Sequence, residues 1–157
     1  RAVGGLSVSA DGKLVAANEL DGDNVLVWNL KTGAQVASLA AKAGARTLQF
    51  KPKGSTLAVG LANGGVTLWN SESGKLAATL KGHDKAVDAL AFSGNGKLLA
   101  TGGPDQTVVL WDVAAEKKLK TLTGHGLEVF DIAFAKSGEY LAATGTGASV
   151  KVWSITK

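Results

Sequence analysis

Residues 90–112 read LAFSGNGKLLATGGPDQTVVLWD. An apolar run, a Gly-Asn-Gly-Lys turn, a second apolar run, a Gly-Gly-Pro-Asp turn and a third run ending in Trp111 follow one another. The runs are about five residues long, rich in small and β-branched side chains, and bounded by turn residues, which is the pattern of antiparallel strands. Glycines interrupt every stretch before a helical period can establish itself. The third run, Val108-Val109-Leu110-Trp111, is apolar on both faces. Such a strand must be covered on both sides, so sheets are expected to stack against sheets.

The same unit recurs along the chain. The tryptophans are Trp28, Trp69, Trp111 and Trp153, spaced by 41, 42 and 42 residues, in the contexts VLVWN, VTLWN, VVLWD and VKVWS. About 20 residues before each lies a run such as LSVS, LQFK, LAFS or IAFA, followed by a glycine-containing turn and a second run, LVAAN, LAVGL, LLATG or YLAAT. A polar turn and a fourth run follow the first three tryptophans: AQVASLA, KLAATL and KLKTLT. Repetition at a fixed period decides the architecture before any single element does. Four-stranded antiparallel units repeating about every 42 residues predict an all-β chain, with each unit a blade of a β-propeller packed between its neighbours.

Composition agrees. The 157 residues are 45% hydrophobic and 19% charged, enough to bury a core and too apolar for disorder. Glycine is abundant, with 21 residues against 2 prolines, as many tight turns require. With no cysteine, disulfides, thiolate metal sites and cysteine nucleophiles are excluded. The net charge of +4 is mild and the lysines are scattered, which does not point to nucleic acid. No apolar run approaches the roughly 18 residues of a membrane-spanning helix, so no membrane insertion is expected. The chain carries no methionine, and no signal-peptide pattern opens it.

At this point the residues resemble the WD-repeat family. Gly82-His83 and Gly124-His125, the strand–turn–strand of residues 90–103 and the closing Leu-Trp-Asp are similar to its signature. The third repeat is nearest the family pattern, whereas the fourth ends in Ser154 and the first two lack Gly-His. The resemblance implies a structural tetrad of His83, Thr101, Asp105 and Trp111, with a partial one, His125 and Trp153, in the fourth repeat. Ala143 and Gly147 replace the threonine and aspartate there, and Val59 and Asn63 replace them in the second repeat. A buried indole N–H requires an acceptor, and a satisfied network of this kind rigidifies its surroundings.

The resemblance further implies a non-catalytic scaffold for protein–protein interaction. The candidate partner surface is Arg46, Lys85, Asp88, Glu128 and Phe130. The family's partner-contact position opens the first strand of each repeat and falls on Gly4, Arg46, Asp88 and Phe130. Phe130 is either a rim anchor or a residue buried under a turn. No catalytic residue, metal or cofactor is expected: His83 and His125 occupy equivalent turn positions, and nothing assembles the three or four ligands zinc needs. Asp21, Asp23 and Asn24 form a short acidic turn without the rest of a calcium loop.

The whole chain, residues 1–157, is expected to form one propeller segment with blades near 1–42, 43–82, 83–124 and 125–157. The last blade lacks its outer strand, which leaves 15 strands instead of 16. An open arc would bare the outward faces of its two end blades. Three arrangements resolve this. The chain is part of a longer propeller, with further blades as its partners. Alternatively, two copies form a homodimer that closes an eight-bladed ring, as a purely structural or engineered half-propeller would. Or it closes alone or caps on a partner protein.

Overall fold

The computed structural model describes residues 3–19 and 22–155. Among these, every regular element is a strand, and the 15 strands form four antiparallel sheets in chain order. The first sheet is β1 (Val3–Val8), β2 (Leu14–Glu19), β3 (Asn24–Asn29) and β4 (Gln35–Ala40). The second is β5 (Ala45–Phe50), β6 (Thr56–Leu61), β7 (Gly65–Asn70) and β8 (Lys75–Lys81). The third is β9 (Ala89–Phe92), β10 (Leu98–Gly102), β11 (Val108–Asp112) and β12 (Lys117–Leu122). The last holds, among the described residues, β13 (Val129–Phe134), β14 (Tyr140–Gly145) and β15 (Val150–Ser154). This is a partial propeller of four blades, and β1, β5, β9 and β13 are its inner strands.

The repeat extends to local irregularities. The register slips at the tryptophan in β3–β4, β7–β8 and β11–β12, a bulge recurring at Trp28, Trp69 and Trp111. Bulges bend a strand and increase its twist, so repeating one at the same place gives the blades a common shape. The hairpin between the first two strands is also shared. Gly12 and Gly96 adopt φ of 68° and 69°, a left-handed conformation that glycine takes without a Cβ penalty. Ser9 and Ser93 close these turns, their Oγ atoms accepting the N–H of Leu14 and Leu98 at 2.9 and 3.0 Å.

The core lies between blades. Val25, Val27 and Leu39 of the first blade meet Leu48, Phe50, Leu57 and Trp69 of the second. Val66, Leu68 and Leu80 of the second meet Phe92, Leu99, Val109 and Trp111 of the third. Val108, Leu110 and Leu122 of the third meet Ile132 and Leu141, with the half-buried Trp153, of the fourth. Trp69, Trp111 and Trp153 therefore face the preceding blade, and the opposite faces of the first three sheets receive the next. The two end sheets keep one face bare: Leu6 and Val8 are exposed at one end, Tyr140, Val150 and Val152 at the other.

Polar side chains also bridge neighbouring inner strands. Ser7 Oγ accepts the N–H of Phe50 at 3.0 Å, and Gln49 Oε1 accepts that of Phe92 at 2.8 Å. Ser7 and Gln49 are 42 residues apart, as are their partners. The backbone of one blade's inner strand is thus satisfied by a side chain of the blade before it.

Candidate functional site

In the third blade, the β10–β11 turn and the segment leading to β9 bring four side chains into one hydrogen-bonded chain. Trp111 Nε1 donates to Thr101 Oγ1 at 2.8 Å. Thr101 Oγ1 lies 2.8 Å from His83 Nε2, and His83 Nδ1 lies 2.7 Å from Asp105 Oδ2. With the imidazole hydrogen on Nδ1, every link has one donor and one acceptor: indole to hydroxyl, hydroxyl to Nε2, Nδ1–H to carboxylate. The other carboxylate oxygen takes the Thr107 N–H at 3.1 Å and its hydroxyl at 3.0 Å, and Asp84 N–H reaches Oδ2 at 3.3 Å. Burial pushes the Asp105 carboxyl up, but attraction to His83 and the hydrogen bonds from His83 and Thr107 outweigh it, so the net pKa is lowered. Each polar atom of these four side chains has a partner inside the blade.

The fourth blade differs. His125 and Trp153 are not brought together: His125 Nδ1 lies 2.8 Å from the Leu127 carbonyl, and Trp153 Nε1 donates to the Thr123 carbonyl at 3.4 Å. His125 Nε2 is buried without a partner among the described residues. Ala143 at the threonine's place removes the hydroxyl that would have joined them. In the second blade, Trp69 Nε1 donates to Thr67 Oγ1 at 2.9 Å, two residues back on its own strand. Sequence reading missed this substitute, which the Thr-Leu-Trp spacing in β7 carries. The residue after each of the first three tryptophans has a separate task. Asn29, Asn70 and Asp112 accept backbone N–H groups of the following turn through their side-chain oxygens.

A second feature lies at the mouth of the arc, where the inner strands begin. Gly4, Arg46, Asp88 and Phe130, four positions spaced by 42 residues, line one cleft of about 670 Å³. Arg46 Nε donates to Asp88 Oδ1 at 2.8 Å, an ion pair linking the second and third blades. Phe130 is exposed, which places it at the rim and not beneath a turn. Of the other surface candidates, Lys85 is exposed and Glu128 half-buried, and neither lines the cleft.

Asn18, which sequence reading did not single out, and Asp23 of the acidic turn also line this cleft. Asn18 is 1% exposed; its Nδ2 donates to the Ala45 carbonyl at 2.9 Å, but its Oδ1 has no partner among the described residues. A buried acceptor left without a partner is costly. Its signal was faint: an asparagine in β2 where the next two repeats carry Gly60 and Gly102. Asp23 is exposed there, and its Oδ1 accepts the Gly44 N–H at 3.3 Å. Of the acidic turn, Asp21 lies outside the described residues. Among the described residues no three His, Asp or Glu side chains group to hold a metal ion, and no helix is long and apolar enough to cross a membrane.

A family model described as WD domain, G-beta repeat, matches residues 74–112 and again 116–154. One described as the anaphase-promoting complex subunit 4 WD40 domain matches residues 27–85. No curated protein sequence matches the chain significantly.

Proposed function

Because the chain belongs to the WD-repeat family of β-propellers, we propose that it is a non-catalytic protein–protein interaction scaffold that docks a partner segment at the cleft of Arg46, Asp88 and Phe130. The family's repeats serve generally as interaction platforms. The observation that carries the choice of surface is the pairing, in one cleft, of an exposed aromatic with a buried, unanswered acceptor. An aromatic side chain at a rim supplies the anchoring area that dominates protein interfaces. Asn18 Oδ1 then selects a segment that brings an N–H or O–H group beside an apolar one. Glycines at positions 4, 5, 22 and 44 leave the cleft walls low, so a backbone can approach closely. The bare faces of the end blades support a second part of this reading, that the four blades work inside a larger ring or complex.

Pull-down with the immobilised chain, followed by Phe130→Ala and Asn18→Leu, tests the surface. Phe130→Ala is expected to weaken the bound partner by about 30-fold, the scale of a 2 kcal/mol interface anchor. Lys97→Ala, on the hairpin between β9 and β10, is expected to leave binding unchanged. Undiminished capture of every partner by Phe130→Ala would remove this cleft as the docking site.

A further inference from the structure

We propose that the hairpins joining the first two strands of the second, third and fourth blades form a basic face that binds an acidic, extended protein segment. These hairpins, residues 51–55, 93–97 and 135–139, lie at the end of the sheets opposite the cleft. They stand side by side. Lys51 lies across Gly96 of the next blade, its Cε 2.8 Å and its Cγ 3.2 Å from where a Cβ of residue 96 would stand. On the same hairpin, the corresponding point at Gly94 is 4.0 Å from the Lys136 carbonyl oxygen of the blade after. Lysines scattered along the sequence, Lys51, Lys97 and Lys136, are thereby collected on one surface. The β11–β12 turn adds Lys117 and Lys118, and its Val113 N–H donates to the Lys97 carbonyl at 3.0 Å.

The charge on this surface is unbalanced. In the first blade the equivalent hairpin pairs its lysine, Lys13 with Asp11 at 3.3 Å. The counterparts of Asp11 are Lys53, Asn95 and Ser137, so the later hairpins lack that acid. Among the described residues, Lys51, Lys97 and Lys136 have no carboxylate within ion-pair distance. Lys53 lines a separate depression with Asp11 and Glu72. The five lysines of the surface meet three acids, Asp112, Glu116 and Glu139, and Asp112 is engaged with the Ala115 N–H at 2.8 Å. Like charges held together repel, and an anionic partner relieves that repulsion. The chemistry of the hairpins narrows the partner. They hold no aromatic side chain to stack a base, no arginine to fork onto a phosphate and no large apolar side chain to enter a membrane. Ammonium groups on flexible stems suit the carboxylates of glutamate and aspartate. Stacked sheets lie about 10 Å apart, so Lys51 and Lys136, two blades apart, are spanned by about six extended residues.

Fluorescence anisotropy of labelled octaglutamate, which its own charge keeps extended, tests the proposal. At about 0.1 M salt, charges more than about 10 Å apart are screened. The far end of a six-residue strand is about 20 Å away, so its charges contribute little. The chain is expected to bind the peptide with a Kd of about 100 μM or tighter. The triple variant Lys51→Glu, Lys97→Glu, Lys136→Glu is expected to weaken binding by at least about 10-fold. Lys42→Glu, Lys81→Glu, Lys85→Glu makes the same change of net charge at exposed positions of the opposite end. It is expected to weaken binding by less than about 3-fold. Tryptophan fluorescence confirms that both variants are folded, and glutamine replaces glutamate at the first three positions if the reversed variant is not. Absence of binding up to about 1 mM, or equal weakening by the two triple variants, overturns the proposal. So does binding of octauridylate or of phosphatidylserine vesicles as tight as that of octaglutamate, which would assign the surface to nucleic acid or to a membrane.

Discussion

Replacing Trp111 with alanine is expected to lower the free energy of unfolding by about 3–5 kcal/mol, the range for truncating a large buried aromatic. The indole is 2% exposed and sits in the core between the second and third blades, beside Val66, Leu68 and Leu80. It also lies against Gly82, where a Cβ would come within 2.7 Å of the ring, so the backbone has closed over it. Truncation leaves a cavity that a flanking sheet on each side prevents from collapsing. It also leaves Thr101 Oγ1 without the indole donor. Urea unfolding followed by circular dichroism measures the loss. Trp153→Ala is expected to cost less than half as much, because Trp153 is only half-buried and its hydrogen bond is long, at 3.4 Å. Equal losses at the two positions would show that the hydrogen-bonded chain and the two-sided packing do not distinguish them.

Replacing Asp105 with alanine is expected to cost about 1–3 kcal/mol, the scale of leaving a buried partner unpaired. That partner is His83, whose side chain is fully buried and loses its acceptor at Nδ1. The turn holding Thr107 and the N–H of Asp84 loses its anchor as well. The effect has a pH signature. The folded Asp105 pKa lies below the ordinary carboxylate value of 3.8, so its stabilisation is complete above that value and is lost as pH falls through the folded one. The gap between parent and Asp105→Asn, measured by urea unfolding, is therefore expected to be constant from pH 7 to about 5 and to narrow below about 4. A gap that persists undiminished at pH 3 would mean that the charge on Asp105 does not carry the effect.

The blades were legible in the sequence because a 42-residue period multiplies a weak local signal. One run such as Leu98–Gly102 is ambiguous alone; four of them in register with four tryptophans are not. The hydrogen-bonded residues of the third blade were legible for the same reason, since His83, Thr101, Asp105 and Trp111 hold fixed offsets within one repeat. Where the repeat decays, side chains find partners that no offset encodes. Trp69 turns to Thr67 on its own strand, and His125 turns to the Leu127 carbonyl. The cleft needed more than an offset. Arg46, Asp88 and Phe130 share a register position, but Asn18 enters from a neighbouring strand and Asp23 from a turn. Only the curvature of the arc brings those elements together. The exposure of Phe130 depended likewise on the conformation of the segment before it, which its immediate neighbours in sequence do not determine.

The core is divided among three junctions, each shared by blades adjacent in sequence. Long chain closures therefore play little part in its folding, because each new blade docks on one already formed next to it. The free energy of such a stack is close to a sum of blade terms and nearest-neighbour terms, as in a one-dimensional chain of coupled units. The second and third blades are each packed on both faces, so opening either one breaks two junctions at once. Amide exchange is expected to be slow in β6, β7, β10 and β11, which have a packed sheet on each side.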